Sequence, residues 1–138
     1  MRVALLGCGS VGSQVAAALA EGSPARAELS ARAGAEIELV GVAVRDADRP
    51  REGVDHALLT TDAAALVRRA DVVVELVGGL EPARTLLVDA VGAGASVVTG
   101  NKALLAAHGR ELHAAADAAG VDLYFEAAVA GAIPIIRP

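Results

Sequence analysis

Apolar segments of two lengths alternate along the chain and predict a regular series of strands and helices. Short apolar runs, typical of buried strands, lie at residues 2–6, 37–44, 57–60, 72–76, 96–99 and 122–128. Longer stretches typical of helices lie at 11–20, 25–33, 62–70, 81–92 and 103–119. Because strands joined by crossover helices form parallel sheets, the pattern predicts an α/β fold. We expect a doubly wound, mostly parallel sheet with helices on both faces.

A glycine-rich turn lies between the first predicted strand and the first predicted helix. Residues 7–12 read GCGSVG and match G-x-G-x-x-G, in which the glycines permit a tight turn, close approach of a pyrophosphate and close packing of helix on strand. The positive end of the helix and its free amides then face the phosphates. A glycine turn without a ligand has the same pattern. In this position we favour a Rossmann-type dinucleotide site formed by Gly7, Gly9, Ser10, Val11 and Gly12.

The residues after the second predicted strand bear on the choice between the two nicotinamide cofactors. A carboxylate there binds the ribose 2′-hydroxyl of NAD, whereas an arginine favours the 2′-phosphate of NADP. The sequence has Arg45 before Asp46, and Arg49 and Arg51 follow. Several cations can converge on one phosphate by charge-assisted hydrogen bonds, so we favour NADP(H), with NAD(H) also usable. The alternative is a solvated loop in which Asp46 pairs with an arginine.

Three further residues lie at the ends of later strands, where a doubly wound sheet binds its ligands. Gly78 and Gly79 follow the strand at 72–76 and either let the backbone pass beneath a cofactor or form a turn alone. Lys102 follows the strand at 96–99, next to Asn101, which can cap the helix that follows. Because a lysine at the positive end of a helix is unfavourable, its position suggests an anionic neighbour.

Glu126 is an unexpected residue within the apolar stretch FEAAV, since burying a bare carboxylate there costs several kcal/mol. It therefore needs a partner. Gly131 and Pro134 imply an irregular backbone whose carbonyl oxygens can surround a hard cation together with the carboxylate. The alternative, which the residues alone favour, is a carboxylate that accepts hydrogen bonds from amides.

Composition and charge argue against several classes of protein. With 138 residues the chain can form one compact domain, which we assign to residues 1–138. A formal net charge of -5 with scattered basic residues argues against binding of nucleic acid. The sequence has no uninterrupted run of about 18 apolar residues, so it does not support a membrane span. A single cysteine, Cys8, is compatible with a reducing cytosol, and the three histidines lack the spacing of metal ligands.

Four segments resemble the N-terminal nucleotide-binding domain of homoserine dehydrogenase. They are LLGCGSVG, GVAVRD, the pair VVVELVGGLEPA and VVTGNKALLA, and DLYFEAAVAGAIPIIRP. The resemblance covers essentially the whole chain. It implies an oxidoreductase that reduces L-aspartate 4-semialdehyde to L-homoserine with NADPH or NADH, on the route to threonine and methionine. It further implies a cytoplasmic enzyme that is a homodimer at full length.

The resemblance also implies roles for individual residues. Ser10, Val11 and Arg45 would contact the cofactor, and Lys102 would lie beside it near the substrate. A sodium ion would be bound by the side chain of one residue and the carbonyl oxygens of three others: Glu126, Val129, Gly131 and Ile133. This reading reverses the preference for Glu126 that its neighbours alone give. Members of the family often have a lysine near Arg49, so the role of this arginine stays open.

The segment at 130–138 is apolar and stops without a turn or cap, which suggests truncation before a second domain. In the resembled family that domain provides the proton-donor lysine, the acidic residues that hold homoserine and most of the dimer interface. We therefore expect residues 1–138 to bind cofactor but not to turn over, with no catalytic residue among them. The alternatives are a nucleotide-sensing regulatory domain or another dehydrogenase of amino-acid metabolism, such as an aspartate dehydrogenase.

Overall fold

A computed structural model describes residues 1–125 and shows alternating strands and helices. The strands are β1 Arg2–Leu6, β2 Glu38–Ala43, β3 Leu59–Thr60, β4 Val72–Glu75, β5 Ser96–Thr99 and β6 Leu123–Tyr124. The helices are α1 Ser10–Ala18, α2 Pro24–Ala33, α3 Ala63–Val67, α4 Ala83–Gly92 and α5 Lys102–Ala119, and a 3-10 turn at His56–Leu58 precedes β3. Each predicted element is present, with ends that differ by a few residues. The predicted strand at 122–128 extends beyond the described residues.

The strands form a six-stranded sheet in the order β3-β2-β1-β4-β5-β6, and every pair is parallel. Strand β1 lies between β2 and β4, with Leu6 opposite Ala43 on one side and Glu75 on the other. The chain therefore winds outward from β1 in one direction and from β4 in the other. This is the order of a Rossmann fold, and it confirms the predicted fold class.

Apolar side chains cover both faces of the sheet. Ala4 and Leu6 of β1 belong to a cluster that includes residues of α3, α4 and α5, among them Leu87. Val3 and Leu5, which alternate with them, belong to a second cluster that includes Ala16 of α1. Because successive residues of a strand face opposite sides, β1 is buried on both, and the prediction of helices on both faces is confirmed.

The ends of the longer helices follow from capping residues. The Ser23 hydroxyl accepts a hydrogen bond from the Arg26 amide at the start of α2, where Pro24 takes the first helical position. Helix α4 begins at Ala83, two residues after the predicted start, because Pro82 occupies the cap position. The Glu81 carboxylate accepts hydrogen bonds from the amide and hydroxyl of Thr85, at 3.2 and 2.8 Å.

No helix within residues 1–125 is both long and apolar enough to cross a membrane.

An ion pair joins the start of β1 to the start of β4. The Asp71 carboxylate accepts a hydrogen bond of 2.7 Å from the Arg2 amide and bonds of 3.3 and 2.9 Å from its guanidinium group. These bonds from Arg2 lower the pKa of Asp71 to about 2. The pair is largely solvent-exposed, so its contribution to stability is small.

Candidate functional site

A cleft opens at the carboxyl ends of β1 and β4, where the strand order reverses. Its volume is about 330 Å³, and it is lined by Gly9, Ser10, Val11, Gly12, Glu75, Leu76, Val77, Gly78, Gly100 and Asn101. Crevices at this topological position are where doubly wound sheets bind ligands. Five of the predicted site residues therefore meet in one place, namely Gly9, Ser10, Val11, Gly12 and Gly78.

The three motif glycines have different structural surroundings. Gly7 has a φ of +94°, and a Cβ there would lie 2.9 Å from the carbonyl oxygen of Leu76. A Cβ on Gly12 would overlap the carbonyl oxygen of Gly7. At Gly9, by contrast, an added Cβ meets no heavy atom within 4 Å. The first and third glycines thus permit close packing of the protein on itself, while the second leaves space on the cleft side.

The glycine turn is held from both neighbouring strands. The Gly7 amide donates to the Ala43 carbonyl of β2 at 3.0 Å, and the Leu76 amide after β4 donates to the Leu6 carbonyl at 2.9 Å. Helix α1 then begins at Ser10, with no acidic residue in its first turn and no side-chain cap from Gly9. The amides of a first helical turn lack acceptors within the helix. This end of α1 can therefore hold an anionic group such as a phosphate.

Hydrogen bonds between side chains and the main chain order the loop after β2. The Asp46 carboxylate accepts the amides of Asp48 and Arg49 at 3.0 and 3.3 Å. The Arg51 guanidinium donates to the carbonyl oxygens of Asp46 and Arg49 at 3.0 and 2.9 Å. Asp46 therefore organises the backbone, which differs from the alternative in which its carboxylate pairs with an arginine side chain.

A second, wider cleft lies between this loop and α1. Its volume is about 620 Å³, and it is lined by Cys8, Gly9, Ser10, Ser13, Gln14, Ala17, Arg49, Pro50, Arg51 and Glu52. Arg45 is exposed just beyond β2 and is not among the lining residues. Of the arginines predicted to converge on one phosphate, Arg49 and Arg51 are thus brought to the same cleft as the glycine turn.

Sequence reasoning missed Glu75, the last residue of β4. Its side chain is fully buried, with 0% exposure. One carboxylate oxygen accepts the amides of Val77 and Gly78 at 2.8 and 3.2 Å, and the other accepts the Thr99 hydroxyl at 2.6 Å. The available signal was a carboxylate directly after the apolar run Val72–Val74 and shortly before two glycines.

The Gly78 and Gly79 turn and the start of α5 complete this side of the cleft. Both glycines have positive φ, +79° and +72°, and an added Cβ on either would meet open space. The predicted role of Asn101 as a helix cap is confirmed, because its Oδ1 accepts a hydrogen bond from the Leu104 amide at 3.1 Å. Its Nδ2 also donates to the Gly79 carbonyl at 2.7 Å. Lys102 is the exposed first residue of α5.

The predicted sodium ligands, Glu126, Val129, Gly131 and Ile133, lie outside the described residues and stay a prediction. Within residues 1–125, no three His, Cys, Asp or Glu side chains form a group that could hold a metal ion. His108 lies 3.3 Å from a Glu111 carboxylate oxygen, and His113 packs edge-on against Phe125 with ring centroids 5.2 Å apart.

Comparison with known proteins identifies the family. Residues 7–126 match the family model described as the NAD binding domain of homoserine dehydrogenase. Homoserine dehydrogenase of Corynebacterium glutamicum is 54% identical over 138 residues, covering 99% of this chain and 30% of that protein. The Mycobacterium tuberculosis H37Rv enzyme of the same name is 51% identical, with the same coverage.

A solved structure gives the same result. The crystal structure of a homoserine dehydrogenase from Thiobacillus denitrificans superposes with a TM-score of 0.84 at 47% identity, over 98% of this chain and 31% of that one. The chain thus spans about 30% of the length of the curated relatives. The match over residues 7–126 includes the glycine turn, the cleft and all the described strands after β1. The chain belongs to the family of homoserine dehydrogenase NAD-binding domains.

Proposed function

We propose that this chain is the cofactor half of a homoserine dehydrogenase and that it binds NADP(H) in preference to NAD(H). In the full-length enzyme it would serve the reduction of L-aspartate 4-semialdehyde to L-homoserine, in the cytoplasmic synthesis of threonine and methionine. The observation that carries the proposal is the free first turn of α1, which faces a cleft at the reversal of strand order. This is an anion site in the position where Rossmann folds bind a dinucleotide.

The two clefts divide the cofactor between them. The pyrophosphate lies on the amides of Ser10, Val11 and Gly12, with Gly9 leaving room for its oxygens. The adenosine half follows the cleft between α1 and the loop after β2, because the second strand of a Rossmann fold carries the ribose-binding residue. The nicotinamide half enters the other cleft, against the turn at Gly78 and Gly79.

Arginine side chains after β2 select the 2′-phosphate. Arg45 occupies the position where NAD-specific proteins carry a carboxylate. Its guanidinium group is exposed and can turn toward a phosphate, while Arg49 and Arg51 line the adenosine cleft. Asp46, the next residue in the chain, accepts main-chain amides with its carboxylate and does not line the adenosine cleft.

The bound nicotinamide supplies the hydride, and residues 1–138 position the cofactor. Lys102, at the positive end of α5, would lie near the substrate, and Glu126 would hold a sodium ion with the carbonyls of Val129, Gly131 and Ile133. The proton donor, the groups that hold homoserine and most of a homodimer interface would come from a second domain. Residues 1–138 alone would therefore bind cofactor without turnover.

Calorimetric titration of the chain with NADPH and NADH tests this proposal. We expect NADPH to bind more tightly, and Arg45→Ala to weaken NADPH about tenfold while NADH changes little, since one charge-assisted hydrogen bond is lost. Arg68→Ala is the matched control, because Arg68 is an exposed arginine that pairs with Asp89 at 3.6 Å and lines neither cleft. Equal affinity for both cofactors would remove the case for a 2′-phosphate site. Reduction of aspartate semialdehyde by the chain alone, at an ordinary enzymatic rate, would contradict the division of labour.

A further inference from the structure

The buried polar side chains of residues 1–125 are concentrated at one place. They are Glu75, Thr99 and Asn101, which lie at the carboxyl ends of β4 and β5. Burying a carboxylate is costly unless each oxygen has hydrogen-bond donors, and an apolar residue would fill the same space without that cost. Glu75 is the one buried carboxylate within residues 1–125, so its burial beside the cleft requires an explanation.

Hydrogen bonds of these three residues, together with the main chain of residues 77–79, form a closed ring. Glu75 and Thr99 are cross-strand partners of β4 and β5, and the Thr99 hydroxyl donates to Glu75 Oε2 at 2.6 Å. The same hydroxyl oxygen accepts a hydrogen bond from the main-chain amide of Asn101 at 3.1 Å. Asn101 Nδ2 then reaches the Gly79 carbonyl at 2.7 Å, and Glu75 Oε1 holds the amides of Val77 and Gly78. The ring therefore joins the turn at residues 77–79 to the first residues of α5.

The turn needs such support because of its composition. Two consecutive glycines with positive φ have a large conformational entropy, so this segment is not rigid on its own account. The ring fixes the turn through three amide or carbonyl groups of its main chain. It also fixes the cap of α5, and Lys102 is the next residue.

We propose that Glu75 is a positioning residue that holds the 77–79 turn against the start of α5 and so sets the geometry of the nicotinamide half of the cleft. This inference rests on the proposed binding of NADP(H). Glu75 acts through the main chain of the turn and through Thr99, and it does not itself contact the phosphates at the start of α1.

Two ligands separate positioning from general stability. NADPH contains the nicotinamide half, whereas 2′,5′-ADP contains only the adenosine half and the 2′-phosphate. We expect Glu75→Ala and Thr99→Val to raise the Kd of NADPH about tenfold, because each removes hydrogen bonds that order the turn before binding. The Kd of 2′,5′-ADP should change less than about twofold, since its binding uses the opposite cleft. Calorimetry gives both constants, and NADPH emission reports the environment of the ring without interference from tryptophan, which the chain lacks.

Conservative variants and a core variant serve as controls. Thr99→Ser keeps the hydroxyl and should bind NADPH like the wild type. Glu75→Gln keeps an oxygen for the two amides but offers no acceptor to Thr99, so its Kd should lie between those of wild type and Glu75→Ala. Leu87→Ala removes a fully buried side chain of α4 that lines neither cleft, and it should lower the melting temperature with both Kd values unchanged.

The results distinguish the possible outcomes. If Glu75→Ala does not fold, Thr99→Val and Glu75→Gln carry the test. Unchanged NADPH affinity in folded variants would overturn the positioning role of Glu75. An equal loss of affinity for NADPH and 2′,5′-ADP would also overturn it. A wild-type chain that binds 2′,5′-ADP and NADPH equally well would also overturn it, because the nicotinamide half would then add nothing. Failure of the wild type to bind either ligand would instead refute the proposed function, and the inference with it.

Discussion

Alanine at Gly9 and alanine at Gly12 should separate cofactor binding from folding. A Cβ on Gly12 would overlap the Gly7 carbonyl, and Gly7 is itself held in place by the hydrogen bond from its amide to the Ala43 carbonyl at 3.0 Å. Overpacking costs about 1–3 kcal/mol, and because this clash is with a main-chain atom we take the upper part of that range, about 2–3 kcal/mol. The better helix propensity of alanine returns about 1 kcal/mol. We therefore expect Gly12→Ala to destabilise the chain by about 1–2 kcal/mol, or to lower its melting temperature by about 4–8 °C.

Gly9→Ala should have the opposite effects. Gly9 has φ and ψ of -81° and -156°, which alanine adopts without strain, and its added methyl group meets no protein atom within 4 Å. Alanine lowers the entropy of the unfolded chain, which stabilises the folded state by about 0.4–1 kcal/mol. Alanine is also a poorer helix cap than glycine, and this destabilises the folded state by a similar amount. The melting temperature should thus change by less than about 3 °C. The methyl group would occupy the space proposed for the pyrophosphate, so the Kd of NADPH should rise at least about tenfold.

Circular dichroism melts and NADPH titration of both variants provide the measurements. If Gly12→Ala melted at the wild-type temperature, α1 would be able to move away from the turn without cost, and the packing role of Gly12 would be refuted. Unchanged NADPH affinity in Gly9→Ala would place the pyrophosphate elsewhere.

Substitutions in two other contacts, the Arg2–Asp71 pair and the Gly41–Leu66 contact, test the structure further. Asp71→Asn should lower the melting temperature by no more than a few degrees at pH 7, because the pair with Arg2 is exposed. The pKa of Asp71 is lowered to about 2, so the pair stabilises above the ordinary aspartate pKa and its effect is lost as pH falls through 2. The difference between wild type and variant should therefore shrink from pH 4 to pH 2, and a constant difference in acid melts would contradict this. Gly41→Ala would place a Cβ 2.5 Å from Leu66 Cδ1 in the core and should cost about 1–3 kcal/mol in urea denaturation. Leu66→Val should cost less in that background than in wild type, and additive effects would contradict the contact.

Much of the fold follows from local sequence. The strand–glycine turn–helix unit was predicted because both its apolar pattern and its glycines depend on residues 2–20 alone. The cap at Asn101 was predicted because it, too, depends only on residues that are adjacent in the chain. Helix ends were less accurate, as at α4, because Pro82 is compatible with both a cap and a first helical position.

The buried carboxylate was not predicted, because its partners are distant in sequence. Glu75 lies opposite Thr99 only because β4 and β5 pair in one particular register. The sequence of one strand does not determine the register of its pairing with another. The strand alone reads as apolar with one polar residue at its end. Glu126, by contrast, is identified as an unusual carboxylate from the sequence alone, since its apolar neighbours are adjacent in the chain.

The hydrogen bonds that hold the glycine turn to its two neighbouring strands also affect the kinetics of binding. The amides proposed to bind the pyrophosphate follow a turn that hydrogen bonds hold to β2 through Gly7 and to β4 through Leu76 before any ligand arrives. A rigid anion site of this kind loses little conformational entropy on association. Phosphate-containing fragments should thus bind in a single fast step whose rate rises linearly with ligand concentration. A slow isomerisation, where one is observed with the whole cofactor, would belong to the two-glycine turn on the nicotinamide side.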